Sequence, residues 1–344
     1  MEMKIENFLK VISDKTSTFT KIHKSKYKTE GDYPIIDQGQ EFIAGYTDNK
    51  NLITSLDEPV IIFGDHTRIL KYIDFPFAIG ADGVKVLYVN KEKLNPLYTY
   101  YYLKKLDIPS AGYSRHFKFF KKKRISFPKS ITDQKRIAQV LSNCESLIQK
   151  RKESIGLLDE LLKSTFLEMF RDPVSNQKGW TKFSLNKVTS KIGSGSTPRG
   201  GKDAYKEIGV SLIRSLNVHD NKFKYKNLAF IDNEQARKLD NVTVQKNDVL
   251  FNITGASVCR STIVPYDVLP ARVNQHVSIL RTKKEVLNPS YLNHLLISEN
   301  FKKLLYKTAT VSGATREAIT KIQLENLTIP IAPIELQNKF AKIV

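Results

Sequence analysis

Residues 133–170 read DQKRIAQVLSNCESLIQKRKESIGLLDELLKSTFLEMF, and this stretch decides how the rest of the chain is organised. Its apolar residues are spaced alternately four and three apart, which is typical of the seam of a coiled coil. The seam runs through Ile137, Leu141, Cys144, Ile148, Arg151, Ile155, Leu158, Leu162, Thr165 and Met169. Such a helix is about 55 Å long, more than a compact domain requires. We therefore expect it to pair with another helix along its whole length.

Sequence signals mark both ends of this helix, and its start is repeated. Asp133 is the predicted N-cap, and the segment RDP that follows Phe170 predicts the end. The stretch SITDQKRIAQVL at 130–141 returns as PIELQNKFAKIV at the end of the chain, with Gln134 and Gln337 in matching positions. The second stretch predicts the start of a second spacer helix, which we expect to be truncated at the C-terminus.

The sequence on either side of the helix is also repeated in the same order. DGVKVL and LNPLYTYYYL match QHVSIL and LNPSYLNHLL, while GYSR and ISFP match GATR and LTIP. The opening segments match more loosely, around Leu9 and Leu185. A period of roughly 200 residues indicates a duplicated domain and not a solenoid. The predicted division is a first domain at 1–132, the helix at 133–171, a second domain at 172–333 and the second helix start at 334–344.

Each copy has the pattern of an α/β domain. Short apolar runs bounded by Gly, Asp and Asn predict strands at EPVIIF, GVKVLYV, VSLIRSL, NDVLFNI and QHVSILR. NPLYTYYYLKKL and NPSYLNHLLISENFKKLL predict helices with an Asn cap and Pro in the first turn. The predicted fold class is α+β: two tandem α/β domains in a pseudo-repeat, joined by a long coiled-coil helix.

The charge balance predicts a polyanionic partner. Among 344 residues there are 55 Lys and Arg against 35 Asp and Glu, a formal charge of +20. Nucleic acid is the first candidate and an anionic membrane surface the second. The sequence has neither a membrane-spanning apolar run nor a signal-peptide pattern, so we expect a cytoplasmic protein. Cys144 and Cys259 are predicted to be reduced packing residues.

No motif in the sequence predicts catalysis. DQK at Asp133 is the nearest match to the acidic element of many restriction nucleases, but a helix cap explains it better. NPLY and NPSY lack the second Pro of the methyltransferase motif for exocyclic amines. The Gly-rich stretches ITGAS, IGSGSTPRGGK and FAIGADG lack the spacing of a nucleotide-binding loop, and no His pair has metal-ligand spacing. We predict neither a catalytic residue nor a metal site.

Three segments have the composition of a DNA-binding surface. SRHFKFFKKKR at 114–124 alternates cations with aromatic rings, although its Phe residues would be core in an alternative interpretation. FGDHTR at 63–68 and NITGASVCRS at 252–261 follow matching strands, where two copies could carry different specificities. Arg115 and Arg316 are the strongest candidates, because a guanidinium can grip a phosphate or read guanine. The predicted DNA-binding set is Asp65, His66, Thr67, Arg68, Ser114, Arg115, His116, Lys118, Ser196, Thr197, Arg199, Arg214, Asn217, Thr254, Ser257, Arg260, Asn274, Gln275, Thr315 and Arg316.

Taken in order, these features resemble the specificity subunit of type I restriction-modification systems over essentially the whole chain. The resemblance is carried by the segment from Trp180 to VSLIRSLNV, by NDVLFNITGAS with ARVNQHVSILR, and by the NPxY, GxSR/GxTR and IPIAPIELQNKFAKIV elements. YPIIDQGQEFIAGYT and GDHTRILKYIDFPFAIGADGVKVL are similar to another version of the same recognition domain.

The resemblance implies a non-catalytic protein in which each target-recognition domain reads one half of a split double-stranded DNA sequence. It also implies modification (methyltransferase) and restriction (translocase and nuclease) subunits as partners. S-adenosylmethionine, ATP and Mg would be bound by those subunits, and no cofactor is expected in this chain.

Other interpretations stay open from the residues alone. The chain could be a stand-alone methyltransferase or nuclease fused to a reader, or a free-standing binder that sequesters a methyltransferase through the coiled coil. If the second spacer helix is truncated, the coiled coil cannot close within one chain. We then expect the helix at 133–170 to expose an apolar face or to pair with a second copy of the chain.

Overall fold

The computed structural model describes residues 2–54, 57–80, 83–110, 112, 114–310 and 317–344. The chain forms two compact units, residues 1–153 (unit 1) and residues 154–344 (unit 2). The long helix Ile131–Phe170 begins in unit 1 and ends in unit 2.

Unit 1 combines short strands with short helices. Its strands are β1 (Met3–Asn7), β2 (Ile12–Asp14), β3 (Lys21–Ile22), β4 (Tyr33–Ile36), β5 (Gly45–Thr47), β6 (Ile53–Thr54), β7 (Val60–Gly64), β8 (Leu70–Ile73), β9 (Phe77–Gly80), β10 (Val84–Val89) and β11 (Arg124–Pro128). Its helices are α1 (Pro96–Lys105), α2 (Phe117–Lys121) and the start of α3 (Ile131–Phe170). The strands form the sheets β1-β11, β2-β10-β7-β8 and β3-β9-β4-β5, with β6 also paired to β9.

Unit 2 repeats this composition. Its strands are β12 (Lys182–Ser184), β13 (Thr189–Ser194), β14 (Val210–Ile213), β15 (Val218–His219), β16 (Lys222–Phe223), β17 (Ala229–Ile231), β18 (Thr243–Val244), β19 (Val249–Asn252), β20 (Ser261–Ile263), β21 (Ala271–Val273), β22 (Val277–Thr282) and β23 (Thr328–Pro330). Its helices after α3 are α4 (Leu185–Val188), α5 (Asn233–Arg237), α6 (Pro289–Ile297), α7 (Glu299–Thr310), α8 (Lys321–Asn326) and α9 (Ile334–Ala341). The strands form the sheets β12-β23, β13-β22-β19-β20, β17-β14-β21-β18 and the hairpin β15-β16.

The two units share a sheet topology. In unit 1, β10 lies between β2 and β7 and is antiparallel to both, with β8 at the edge. In unit 2, β22 lies between β13 and β19 in the same way, with β20 at the edge. A second sheet in each unit contains a parallel pair, β4 with β9 and β14 with β21. The predicted fold class of two α/β domains in a pseudo-repeat with a long helix is confirmed.

A buried glutamine closes unit 1 at the start of α3. The Gln134 side chain accepts a hydrogen bond from the Asn95 backbone N–H at 2.8 Å. It donates to the backbone carbonyls of Lys93 and Pro128 at 2.9 and 2.7 Å. The amide therefore ties the start of α3 to the cap of α1 and to the end of β11.

Gln337 does the same in unit 2. It accepts a hydrogen bond from the Asn288 N–H at 2.8 Å and donates to the carbonyls of Val286 and Ala332 at 3.0 and 2.7 Å. Both glutamines are fully buried, with 0% of the side chain exposed. The matching glutamines at the starts of α3 and α9 therefore form the same buried hydrogen-bond arrangement in both units, which we call the glutamine lock.

The start of α3 differs from the predicted one. The helix begins at Ile131, and the Ser130 hydroxyl accepts a hydrogen bond from the Asp133 N–H at 3.2 Å. The prediction of Asp133 as the N-cap is wrong, because Ser130 supplies the same acceptor three residues earlier. Asp133 lies in the first turn, where its charge still favours the helix N-terminus. The helix ends at Phe170 as predicted, and Arg171 follows with a left-handed φ of 58°.

The two NPxY helices begin as predicted, but the second is divided. Oδ1 of Asn95 caps α1 and Oδ1 of Asn288 caps α6, each at 2.9 Å from a backbone N–H. The stretch NPSYLNHLLISENFKKLL, predicted as one helix, breaks at Ser298, whose ψ is 143°. The Ser298 hydroxyl donates to the Leu295 carbonyl at 2.7 Å, so this carbonyl stays hydrogen-bonded where the helix ends.

The loose match at the opening of the two units also needs a correction. Leu9 is 57% exposed, whereas Phe8 and Leu185 are fully buried. The Phe8 N–H donates to the Lys123 carbonyl at 3.1 Å, and the Leu185 N–H donates to the Leu327 carbonyl at 2.9 Å. Phe8, and not Leu9, is therefore the counterpart of Leu185.

The middle of α3 exposes apolar side chains. Every residue from 143 to 161 is exposed, including the seam residues Ile148 and Leu158 at 56% and 58%. Leu147 and Leu161, each one position before a seam residue, are 66% and 56% exposed. This wider stripe is typical of a helix that buries an apolar face against a partner. The single chain therefore leaves the predicted apolar face of α3 exposed, and the pairing of this face with a second copy of the chain stays a prediction.

The two cysteines have different environments. Burial raises the pKa of the Cys259 thiol to about 12, so this side chain is the inert packing residue that was predicted. Cys144 is also free, but it is exposed on α3 and does not pack in either unit. In the part of the chain that the structure describes, no helix is both long and apolar enough to cross a membrane. The same residues contain no group of three His, Cys, Asp or Glu side chains able to hold a metal ion.

The buried imidazole of His294 makes the stability of unit 2 depend on pH. Burial lowers the pKa of His294 from its usual 6.5, so the folded state holds the ring neutral. We expect full stability above pH 6.5 and a loss of stability as the pH falls from there through the lowered pKa, because the unfolded state binds the proton more readily. Urea midpoints measured across this range, compared with those of His294→Asn, isolate the effect: the variant should have a flatter profile. An equally steep profile in the variant would assign the pH dependence to other groups.

Candidate nucleic-acid interface

In unit 1 the turn between β7 and β8 displays polar side chains. β7 is buried to its last residue, Gly64, and the chain turns at Arg68 with a left-handed φ of 64°. Thr67 and Arg68 are exposed. The Arg68 guanidinium donates to the Ile108 carbonyl at 3.0 Å through one of its nitrogens. Because a guanidinium has five N–H donors, this bond fixes the group and leaves donors for a ligand.

A second loop of unit 1 supports this turn. The His66 backbone N–H donates to Oε1 of Gln38 at 3.2 Å, and the Thr67 hydroxyl donates to the Gln38 carbonyl at 2.6 Å. Lys71 is only 3% exposed and donates to the Asp37 carbonyl at 2.8 Å, which holds the same loop from below. The two loops thus form one surface, and Gln38 belongs to it.

The basic segment, residues 114–124, divides between core and surface. Phe117 and Phe120 are buried and their ring centroids lie 5.9 and 5.5 Å from that of Phe8. The alternative interpretation, in which the rings are core, is therefore right for these two. The exposed members of the segment are Arg115, Lys118, Lys121, Lys122 and Arg124. The segment offers a row of cations to a phosphate backbone and little aromatic surface for stacking.

Asp65 and His116 fasten the basic segment to the turn after β7. Oδ1 of Asp65 accepts a hydrogen bond from the Phe117 N–H at 2.7 Å, and the Asp65 carbonyl accepts one from the His116 N–H at 2.8 Å. Nδ1 of His116 lies 2.9 Å from the same carbonyl. The exposed fractions of Asp65 and His116 are 3% and 1%. These two side chains bring the candidate segments of unit 1 together from inside the protein.

Arg115→Ala tests the exposed cations of unit 1. If the guanidinium grips a phosphate, we expect weaker binding to all duplexes and a salt slope that falls by about 1. If it reads guanine, preference is relaxed at one base pair instead. Binding isotherms at several salt concentrations distinguish the two. Lys10→Ala removes an exposed charge outside the candidate segments and serves as the control; an equal effect of both changes would mean that only net charge matters.

In unit 2 the loop after β19 lines an open cleft of about 540 Å³. The Thr254 hydroxyl lies 2.5 Å from Nδ1 of His276, and the His276 backbone N–H donates to Oδ1 of Asn274 at 3.0 Å. The wall of the cleft is therefore fixed by hydrogen bonds between the β19 and β22 ends. Its lining residues are Ser215, Leu216, Thr254, Gly255, Ala256, Ser257, Arg260, His276, Glu317 and Ala318.

Arg260 is oriented in this cleft by a neutral histidine. Nη1 of Arg260 lies 3.4 Å from Nδ1 of His219, and Nε2 of His219 lies 3.3 Å from the Leu216 carbonyl. Burial, followed by the charges of Lys224 and Arg260, lowers the pKa of His219. The ring is therefore neutral at pH 7; Nε2–H donates to the carbonyl, and Nδ1 accepts from the guanidinium.

A second concave region of unit 2 gathers further candidates. It has a volume of about 470 Å³ and contains Ser196, Thr197, Arg199, Gln235 and Lys238 among its lining residues. The Thr197 hydroxyl donates to the side chain of Gln275, so two predicted residues that are distant in sequence meet. Arg199 and Lys238 are exposed, and Lys238 forms an ion pair with Glu234 at 2.8 Å, so Arg199 supplies the positive charge of this region.

Asn217 and Asn274 hold loops from inside. Asn217 is fully buried, and its Oδ1 accepts a hydrogen bond from the Arg214 N–H at 3.1 Å. Asn274 is 4% exposed and holds the cleft wall. Arg214 itself is half-buried; its guanidinium lies 5.0 Å from the Tyr205 ring centroid and donates to the Asn227 carbonyl.

Burial divides the predicted set. Four side chains lie inside the protein, away from any surface that DNA could touch: Asp65, His116, Asn217 and Asn274. The exposed or half-buried ones are His66, Thr67, Arg68, Ser114, Arg115, Lys118, Ser196, Thr197, Arg199, Arg214, Thr254, Ser257, Arg260 and Gln275. Thr315 and Arg316 lie outside the described residues. Sequence reasoning missed Gln38, His219, Lys238, His276 and Glu317; only His276, next to Gln275 at the start of a predicted strand, carried a usable signal.

Comparison with known proteins identifies one family. The family model for the type I restriction modification DNA specificity domain matches residues 1–157 and again residues 177–344. The type I restriction enzyme MjaVIII specificity subunit of Methanocaldococcus jannaschii is 25% identical over 238 residues, 65% of this chain and 55% of that protein. The EcoR124I/EcoR124II specificity subunit of Escherichia coli is 22% identical over 323 residues, 90% of this chain and 78% of that protein. The chain thus spans little more than half of the M. jannaschii relative.

A solved structure has the same fold. The crystal structure of the type I restriction-modification system S subunit from M. genitalium superposes with a TM-score of 0.68 at 13% identity. The match covers 100% of this chain and 88% of that one.

Proposed function

This chain belongs to the family of type I restriction modification DNA specificity domains, and from that premise we propose that it is a specificity subunit that binds a bipartite DNA target. Unit 1 recognises one half of the target and unit 2 the other. The chain supplies recognition, and chemistry with S-adenosylmethionine, ATP and Mg is left to methyltransferase and restriction subunits.

The observation that carries this proposal is that the two units share one scaffold and carry different loops on it. β7 and β19 occupy the same place beside β10 and β22 in the two units. The loop after β7 presents Thr67 and Arg68, whereas the loop after β19 presents Thr254, Ser257 and Arg260 on a cleft. Side chains that differ at matching positions suit the reading of different base edges. The formal charge of +20 supports a polyanionic ligand.

The exposed stripe of α3 supports a role in assembly. Ile148, Ile155 and Leu158 are more than half exposed, a contiguous apolar face that a single chain leaves uncovered. We assign this face to docking of the methyltransferase subunits or of another spacer helix.

Ile148→Asp tests the assembly role. We expect loss of co-elution with the modification subunit, because a carboxylate on the seam would be buried without a partner. Circular dichroism should be unchanged, since the side chain is 56% exposed in the single chain. Gln149→Asp adds the same charge at the neighbouring exposed position off the seam and should leave the complex intact. A complex that survives Ile148→Asp would remove the assembly role of this face.

Selection from a random pool of duplex DNA tests the recognition role. The full chain, assembled with its modification subunit, should enrich duplexes with two short conserved blocks at a fixed spacing. Its binding should fall steeply with salt, by about 0.9 in log affinity per log salt for each phosphate neutralised. Equal binding to random and selected duplexes at physiological salt would refute the proposal.

A cofactor measurement separates this role from that of a stand-alone enzyme. The isolated chain should show no heat of binding with S-adenosylmethionine, while the assembled complex should show saturable binding. Saturable binding by the isolated chain would favour a methyltransferase fused to a reader instead.

A further inference from the structure

We infer that the cleft after β19 reads one G·C base pair of the half-site bound by unit 2, with Arg260 on the guanine and Glu317 on the cytosine. The inference rests on the proposed DNA-recognition function and assigns a base to a particular site. Both side chains line the same cleft of about 540 Å³.

The chemistry of the cleft favours a base edge over a phosphate. Arg260 contributes N–H donors, and the Glu317 carboxylate contributes acceptors. Among the described residues, no hydrogen bond or ion pair engages that carboxylate. A carboxylate repels a phosphate, so a cleft that holds Arg260 and Glu317 together is poorly suited to the DNA backbone.

A G·C pair complements this arrangement in the major groove. Guanine presents O6 and N7, two acceptors that match the fork of an arginine, and cytosine presents the N4 amino group, a donor that matches a carboxylate. An A·T pair presents no comparable pair of adjacent acceptors on one base. Arg260 therefore requires two adjacent acceptors on one base, and Glu317 requires a donor on the other base. A G·C pair satisfies both requirements.

Neighbouring groups hold the two readers in place. The neutral His219 accepts from Nη1 of Arg260, which fixes one side of the guanidinium, and among the described residues no other hydrogen bond engages that guanidinium. The backbone carbonyl of Glu317 accepts a hydrogen bond from the Gly255 N–H at 2.9 Å, which fixes the chain at Glu317 to the loop after β19. A fork that is already oriented loses less entropy on binding than a free one.

The Thr254 and His276 pair completes the cleft. The hydroxyl and the imidazole are joined at 2.5 Å, and the Asn274 amide holds the backbone of His276. These two hydrogen bonds fix the ring and the backbone of His276 in the wall of the cleft that Arg260 also lines.

The test uses the full chain with its modification subunit and the duplex selected from a random pool. Each base pair of the half-site bound by unit 2 is replaced in turn, and affinities are measured at fixed salt. We expect one pair whose replacement weakens wild-type binding by about tenfold to a hundredfold. Arg260→Gln and Glu317→Gln should each abolish the preference at that same pair and leave the other half-site unchanged.

Three controls separate base reading from charge. Arg260→Lys keeps the charge but lacks the planar fork, so it should also lose the preference. Replacing the guanine by 7-deazaguanine removes N7, and this should weaken binding by the wild type but not by Arg260→Gln. Lys284→Gln removes an exposed cation outside the cleft and should preserve the preference. The circular dichroism of each variant confirms folding.

The outcomes are distinct. If Arg260→Gln weakens all duplexes equally, Arg260 contacts phosphate and the inference is overturned. It is also overturned if the sensitive pair is A·T, or if no pair depends on both side chains. A wild-type complex with no sequence preference at all would instead refute the proposed function itself.

Discussion

Phe340→Ala is expected to destabilise unit 2 by about 3–5 kcal/mol, enough to unfold it under mild conditions. Phe340 is fully buried near the end of the chain, on α9. Its ring centroid lies 5.5 Å from those of Phe166 and Phe170 and 4.9 Å from that of His294. Truncation leaves a cavity among rigid rings that cannot close without moving α3 or α6, so most of the lost packing is not recovered.

Tryptophan fluorescence measures this effect in unit 2 alone. The chain has a single tryptophan, Trp180, whose ring lies 5.8 Å from that of Phe170. The urea midpoint followed by Trp180 should fall sharply in Phe340→Ala. Ile343→Ala, which removes an apolar side chain that is 50% exposed three residues later, should shift it little. Similar shifts in both variants would mean that the aromatic cluster does not carry the stability of unit 2.

Gln337→Met is the second substitution for which we expect a large effect. It keeps the length of the side chain but removes its three hydrogen bonds, which leaves the Asn288 N–H and two carbonyls without partners. Since each buried unsatisfied group costs about 1–3 kcal/mol, the total loss should be about 3 kcal/mol after local relaxation. The Trp180 midpoint should fall accordingly.

Gln134→Met makes the matched change in unit 1. Circular dichroism should show an early unfolding transition, while the Trp180 midpoint stays near its wild-type value because unit 1 has no tryptophan. Gln139→Met places the same chemical change at an exposed position of α3 and should be nearly neutral. If Gln134→Met and Gln139→Met behaved alike, the buried amide would not be a lock.

The repeat was readable from the sequence because both copies need the same buried groups. Gln134 and Gln337 match in letters since each satisfies the same backbone atoms, and Asn95 and Asn288 match since each caps a helix. Errors arose where two nearby residues could serve equally. Ser130 and Asp133 are both good caps, and the hydrogen bond to Ser130 decided between them. Phe8 and Leu9 are both apolar, and burial decided between them.

The candidate interface was readable only in part. Composition located the loops, but the residue types of Asp65 and His116 do not reveal whether the side chains are exposed to DNA or buried in the protein. The hydrogen bonds of Asp65 with His116 and with Phe117 depend on a contact between segments about 50 residues apart, which local pattern does not encode. Gln38 lies in the surface after β7, and Glu317 lies in the cleft after β19. Both placements also depend on contacts between segments that are distant in the sequence.

The sequence by itself determined the duplication, the long heptad helix, the strands beside it and the excess of positive charge, because periodicity and charge are properties of the chain. Only the tertiary structure decided which polar side chains are buried and hydrogen-bonded within the protein and which are exposed. It alone also showed that Arg260 and Glu317 line one cleft. Those outcomes follow from long-range packing: a polar group is available to a ligand only when the folded protein has not already satisfied it.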